Sequence, residues 1–188
     1  MPAWYEIRFS DVDGKKDWYG SRGFYYEFAD GTNIGLHPTI AWCCDCSDFV
    51  DAEWIPSLEY IEDELVALCT PGSRAYVRHT STEPPFDESP FKERRERIFE
   101  EAKTEAALRV DWRKKRTSPP KCLTCGSCDI KFPNDDDGSV AIPGRGTATI
   151  ECCGMCSTEF CNWFYTPEGD RIPRETKPTY WHLLVDTA

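Results

Sequence analysis

The chain has 188 residues, 40% of them hydrophobic and 13% aromatic, which suffices for one sizeable domain or two small ones and excludes wholesale disorder. Its 22 Lys and Arg against 33 Asp and Glu give a net charge of -11 at pH 7, a balance that repels nucleic-acid phosphates and suits basic partners. No run approaches the ~18 consecutive apolar residues of a membrane helix, and Met1-Pro2-Ala3-Trp4-Tyr5-Glu6 lacks the basic and apolar regions of a signal peptide, so the sequence reads as a soluble, cytoplasmic protein.

Residues 4 to 42 read as a small antiparallel β-meander. Tyr5, Ile7 and Phe9 alternate with polar neighbours, as do Phe24, Tyr26 and Phe28, and Asp13-Gly14 and Asp30-Gly31 are turn signals between the runs. A third run, Ile34 to Trp42, is interrupted by Pro38. Leu58, Ile61, Leu65 and Leu68 then share one helix face, with Ser57 as N-cap, Glu59 in the first turn and Thr70-Pro71-Gly72 as the stop. Residues 81 to 90, with three prolines, predict a linker. A long helix follows, capped by Ser89, with Pro90 at its first position and an end near Lys115. Its apolar stripe is read as Phe91, Ile98, Ala102, Ala106 and Val110, with Phe99 and Trp112 beside it.

Ser118-Pro119-Pro120 stops that helix. Beyond it come an acidic turn at Asn134-Asp135-Asp136-Asp137-Gly138, a loop tip at Pro143-Gly144-Arg145-Gly146 and a β-run at Thr147-Ala148-Thr149-Ile150. The last strands are expected over 159–165 and 180–185, with a turn at 167–170.

Eleven cysteines, odd in number and clustered without a secretion signal, point to metal thiolates more than to disulfides. Cys122 and Cys125 form one C-x-x-C pair and Cys153 and Cys156 another, with 27 residues between them. Zn²⁺ takes four soft ligands in a tetrahedron, and a tight turn with two sulfurs three positions apart supplies half of them. Gly126 and Gly154 ease such turns. Cys43 and Cys46 are a third pair with C-x-x-C spacing after a β-run. Its missing ligands could come from Cys69, His37 or His79, or from a downstream pair, in which case one ion would tie the N-terminal sheet to the C-terminal region. Cys44, Cys128, Cys152 and Cys161 are unassigned. The competing reading of all these pairs is inert buried thiol.

An all-cysteine set fills every coordination position, whereas a catalytic zinc keeps one open, so a structural role is expected and no catalytic residue is assigned. His37, His79 and His182 fit no hydrolase, protease or deaminase pattern. The basic run Arg113-Lys114-Lys115-Arg116 could meet phosphate, but it also complements a helix C-terminus without any ligand. Dense aromatics near the N-terminus (Trp4, Tyr5, Trp18, Tyr19, Phe24, Tyr25, Tyr26, Phe28 and Trp42) suggest that about half face solvent, as at binding hot spots.

Cys122-Leu123-Thr124-Cys125-Gly126-Ser127 resembles the first, rubredoxin-like knuckle of zinc-ribbon proteins, and the turn at Cys153 to Cys156 resembles the second. That resemblance, over roughly residues 119 to 165, implies a ribbon fold and a metal and leaves function open. Trp42-Cys43 to Cys46, Phe49, Ala52-Glu53 and Ile55-Pro56-Ser57-Leu58, together with Ser118 to Leu123, are similar to an uncharacterised group of bacterial cysteine-containing proteins, which implies that the two cysteine regions share one architecture.

The fold expected is thus α+β: a small antiparallel N-terminal sheet with a cysteine knuckle and short helix over 1–80, a linker and long helix over 81–118, and a C-terminal zinc ribbon with final strands over 119–188. One or two structural Zn²⁺ are expected on Cys122, Cys125, Cys153, Cys156, Cys43 and Cys46. The function expected is a non-enzymatic protein-binding module of inhibitor, immunity or adaptor type, with a basic protein as partner. The alternatives are a nucleic-acid-associated zinc-ribbon regulator using Arg113 to Arg116 and Arg145, and a metal- or thiol-dependent enzyme.

Overall fold

Apolar residues at every second position make a strand with one buried face. In the computed structural model, which describes residues 3–12, 14–19, 22–80, 89–155 and 161–173, the first such run is β1 (Ala3–Phe9), followed by β2 (Lys15–Tyr19), β3 (Arg22–Glu27), β4 (Asn33–Gly35), β5 (Pro38–Cys43) and β6 (Asp48–Glu53). Helices α1 (Leu58–Cys69), α2 (Arg74–Thr80) and α3 (Ser89–Lys115) come next. Four further strands, β7 (Ile130–Lys131), β8 (Ser139–Ile142), β9 (Gly146–Met155) and β10 (Cys161–Tyr165), complete the described chain. It is a mixed α and β protein with several antiparallel pairings and one long helix.

The strands do not form one N-terminal meander. They divide among three sheets, ordered β2-β1-β9-β8, β10-β3-β4 and β6-β5-β7. β1 pairs with β2, a strand outside the three expected runs, the other edge of β1 takes β9, and β3 pairs in parallel with β10. Alternation marks which face of a strand is buried and is silent about its neighbour, so these long-range pairings left no local trace. One core lies between the first and third sheets: Ile7, Ile40, Trp42, Phe49, Val140, Ile142 and Ala148 are all buried there. The loop tip at 143–145 joins β8 to β9, with Gly144 and Gly146 at φ 76° and 88°.

Two compact units emerge, residues Met1–Ile55 with Ser118–Ala188, and Pro56–Thr117. The second unit is helical. Ser57 caps α1 by accepting the Tyr60 N–H at 3.1 Å, and Ile61 and Leu68 are buried as the periodicity required. Ser73 caps the unforeseen α2 by accepting the Tyr76 N–H at 3.0 Å. Thr70-Pro71-Gly72 ends one helix, and the serine after it starts another.

The buried stripe of α3 differs from the expected one. Phe99, Ala106, Val110 and Trp112 are buried, while Ile98 is 41% exposed; the Phe91 side chain lies outside the described residues. Phe99 meets Tyr76 edge-on with ring centroids 5.4 Å apart and carries the Lys103 ammonium 4.0 Å above its ring. The bulkier, planar side chain takes the core position because the helical unit's core of Leu68, Phe99 and Ala106 offers it an aromatic partner.

Candidate metal centre

Strand β5 ends at Cys43, and the chain turns through Cys44 and Asp45 to Cys46 before β6 runs back antiparallel, pairing Cys43 with Asp48. The Cys46 N–H points at the Cys43 Sγ, 3.4 Å away. A second turn repeats the pattern: the N–H groups of Thr124 and Cys125 both point at the Cys122 Sγ at 3.4 Å. Amides aimed at sulfur stabilise thiolate and orient it for a metal. The residue after each second cysteine has positive φ, Ser47 at 52° and Gly126 at 80°. Ser47 is the one such non-glycine among the described residues, held in place by its Oγ donating to the Cys44 carbonyl at 3.3 Å.

These two turns meet each other. The Sγ atoms of Cys43, Cys46, Cys122 and Cys125 all lie within 4.8 Å of one another, with Cys43 to Cys125 at 3.6 Å and Cys46 to Cys122 at 3.9 Å. A tetrahedral ion with ~2.3 Å bonds to sulfur needs sulfur–sulfur edges of about 3.8 Å. The cluster therefore has the size as well as the chemistry of a Zn²⁺ cage. Cys43 and Cys122 are buried, with Val50 beside them and Ile130 against the cluster; Cys46 is half-buried and Cys125 exposed.

Backbone pairing brings the second turn to the first. Ala52 bridges antiparallel to Cys122, the Leu123 N–H donates to the Asp51 carbonyl at 2.9 Å, and the Glu53 N–H donates to the Lys121 carbonyl at 3.0 Å. The fully buried Glu53 carboxylate accepts the Lys121 N–H at 2.9 Å and the Tyr26 hydroxyl at 2.8 Å. The Tyr165 hydroxyl donates to the Leu123 carbonyl at 2.7 Å. Sequence reasoning missed Glu53, Tyr26 and Tyr165, since nothing local marks a strand glutamate as an anchor for a segment 68 positions away. Ser47 had a signal, because it occupies the position that Gly126 fills in the second turn.

Burial raises the Cys122 thiol above its ordinary range, and likewise Cys46, where the neighbouring sulfurs add to the effect. Burial also works to raise Cys125, but the Ser127 N–H and the surrounding thiols outweigh it and bring this group down. Cys44 lies outside the cluster; burial, then a hydrogen bond with Asp129, push its thiol up.

The other expected ligands fall elsewhere. Cys122 and Cys125 are met by Cys43 and Cys46, the pairing that was one of several open for the N-terminal turn. Cys153 is an exposed residue of β9, its Sγ 3.6 Å from the Glu151 carbonyl. Residues 153–155 run as strand: Gly154 pairs with Trp4 and Met155 with Ala3, and Cys153 is the extra residue of a bulge between the Trp4–Gly154 and Tyr5–Cys152 pairs. A knuckle needs a turn at that point, and the hydrogen bonds to β1 hold the backbone extended instead. Cys156 lies outside the described residues, as do the expected strand 180–185 and His182. His37 is exposed, edge-on to Trp54 with ring centroids 6.1 Å apart.

The dense aromatics near the N-terminus divide between core and partly covered positions. Phe24, Tyr26 and Trp42 are buried, and Tyr5, Trp18, Tyr25 and Phe28 half-buried; Trp4 and Tyr19 have no described side chains. Three of the four residues in the basic run make contacts within their own unit. Arg113 donates to the Pro56 carbonyl at 3.0 Å, Lys114 pairs with Glu62 at 3.0 Å, and Arg116 is buried with its guanidinium 5.5 Å from the Trp112 ring centre. Among the described residues no helix is long and apolar enough to cross a membrane. No protein-family model matches the chain, and no curated protein or solved structure matches it either.

Proposed function

We propose that this chain is a zinc-stabilised, non-enzymatic binding module, a ribbon-like metal unit split by a helical insertion, that engages a basic protein partner. The observation that carries the reading is the convergence of four cysteines, from two turns 76 positions apart, at tetrahedral spacing. Four thiolates saturate Zn²⁺ and leave no position for water or substrate, which is the chemistry of a structural site. Binding there supplies folding free energy, of the order of ~10 kcal/mol in zinc-finger peptides.

Charge supports the choice of partner. The metal-bearing unit holds 10 Lys and Arg against 20 Asp and Glu, net -10, while the helical unit holds 12 against 13 and is nearly neutral. Phosphate recognition would need the opposite sign on the metal-bearing half, and Arg113, Lys114 and Arg116 of the one basic run make intramolecular contacts.

Two measurements test the reading. Elemental analysis is expected to find one Zn²⁺ per chain, and Co²⁺ substitution to give the spectrum of four thiolates without exchangeable water. Affinity capture at graded salt is expected to recover a basic protein whose retention falls as salt rises. A Co²⁺ centre with an exchangeable water would replace this reading with an enzyme, and recovery of nucleic acid would replace it with the regulator.

A further inference from the structure

The four sulfurs are unequal in their access to solvent, and that asymmetry gives the cluster an order of reaction. Cys125 is exposed at the end of its turn, followed by Gly126, around whose α-carbon nothing lies within 4 Å on the side-chain position. Cys43, its neighbour at 3.6 Å, is buried and belongs to the other turn. The remaining cross-turn pair, Cys46 with Cys122, stands at 3.9 Å. A thiolate that solvent can reach, with a second sulfur behind it, is the arrangement that reversible oxidation requires.

We propose that Cys125 and Cys43 form a modification site at which a small hydroperoxide, such as hydrogen peroxide, is reduced and a disulfide is made between the two turns. The inference rests on the metal reading above and adds a chemistry to the same cluster. The Cys125 thiolate attacks one peroxide oxygen; the O–O bond breaks, hydroxide leaves, and Cys125 becomes a sulfenic acid. The Cys43 thiolate then attacks the Cys125 sulfur; the S–O bond breaks, the S–S bond forms, and a second hydroxide leaves. Both hydroxides take protons from solvent, so two electrons pass from the two sulfurs to the peroxide. Two of the four metal ligands are lost, and the two that stay behind no longer hold the ion.

The disulfide keeps the turns joined after the ion has gone, because its sulfurs come from different turns. A bond inside either C-x-x-C turn would instead leave the two turns joined only by the backbone pairing of residues 121–123 with β6. The cross-turn bond is therefore the form that allows re-reduction and reloading without reassembly of the β unit.

The test uses the full chain, loaded with Zn²⁺ and checked by elemental analysis, with Cys152→Ser and Cys153→Ser introduced to remove the exposed thiols of β9. Hydrogen peroxide is added in steps, released Zn²⁺ is followed with a chromogenic chelator, and non-reduced digests are sequenced by fragmentation. The expected result is a first cross-link between Cys125 and Cys43, one ion released per cross-link, and full recovery on treatment with dithiothreitol and Zn²⁺. A first cross-link inside either turn, or oxidation of Cys125 to sulfinic acid without any cross-link, overturns the proposal. A chain that purifies without zinc would sink the metal reading at the loading check, and the same digest would still decide the pairing, since it depends on sulfur proximity.

Discussion

Glu6 shows how a single side chain is constrained by register. On β1 it lies opposite Asp17 of β2 on one side and Glu151 of β9 on the other, three carboxylates abreast. Like charges directly opposed destabilise a sheet, and the array is relieved by Lys15 at 2.5 Å and by the Arg8 Nε at 2.7 Å, both donating to Glu6. The hydrogen bond from Lys15, then that from Arg8, holds the Glu6 carboxyl below its ordinary 4.5 despite some burial. A group with a lowered folded-state value contributes stability that is complete above the unfolded value and is lost as pH falls through the folded one. Thermal melts taken from about pH 6 down to about pH 3 should therefore show a loss of stability beginning near pH 4.5, and Glu6→Gln should flatten that slope. Equal slopes in the two proteins would mean that the Glu6 pairings contribute nothing. Register is invisible in the sequence, so the acidic trio could not be foreseen from Glu6 alone.

At the scale of elements, the helices were the most legible part of the chain. Ser57 and Thr70 bound α1, and the expected long helix runs Ser89–Lys115, with Ser89 as its first residue. Pairs along α3, the exposed Arg97 with Glu101, Lys103 with Glu100 and the part-buried Arg109 with Glu105, add small local support. The buried stripe was misplaced by one residue at Ile98, because adjacent apolar residues on a 3.6-residue period compete for the same face and packing alone decides between them. The consequence is measurable. Phe99→Ala should cost the helical unit about 3–5 kcal/mol, as for aromatic truncation in a core, whereas Ile98→Ala should stay within about 0.5 kcal/mol, as at a surface position. Chemical denaturation followed by helical ellipticity separates them, and comparable losses would return Ile98 to the core.

At the scale of the whole molecule, the helical unit is an insertion into the metal-bearing one. The chain leaves β6 after Glu53 and returns at Lys121, and these two residues are hydrogen-bonded to each other through their backbones. The metal cluster is thereby reunited across residues 56 to 117. Since the two ends of the insertion are held by pairing within the β unit, replacing 56–117 with a short Gly/Ser linker should leave one Zn²⁺ per chain; the loop to be closed becomes shorter, which favours the folded state. Zinc content by elemental analysis checks this, and a metal-free product would show that the insertion itself holds the cluster together.

What the amino-acid sequence determined unaided is local: paired sulfurs three positions apart, the glycine after Cys125, helix caps, and the alternation that buries Ile7 or Tyr26. These follow from the conformations open to a few consecutive residues. Which turn faces which was decided only in three dimensions, where Ala52 pairs with Cys122 and the bulged strand carrying Cys153 is taken up by β1. The reason is that a C-x-x-C turn offers half a tetrahedron whatever completes it, and the other half is chosen by backbone hydrogen bonds between segments far apart in the chain.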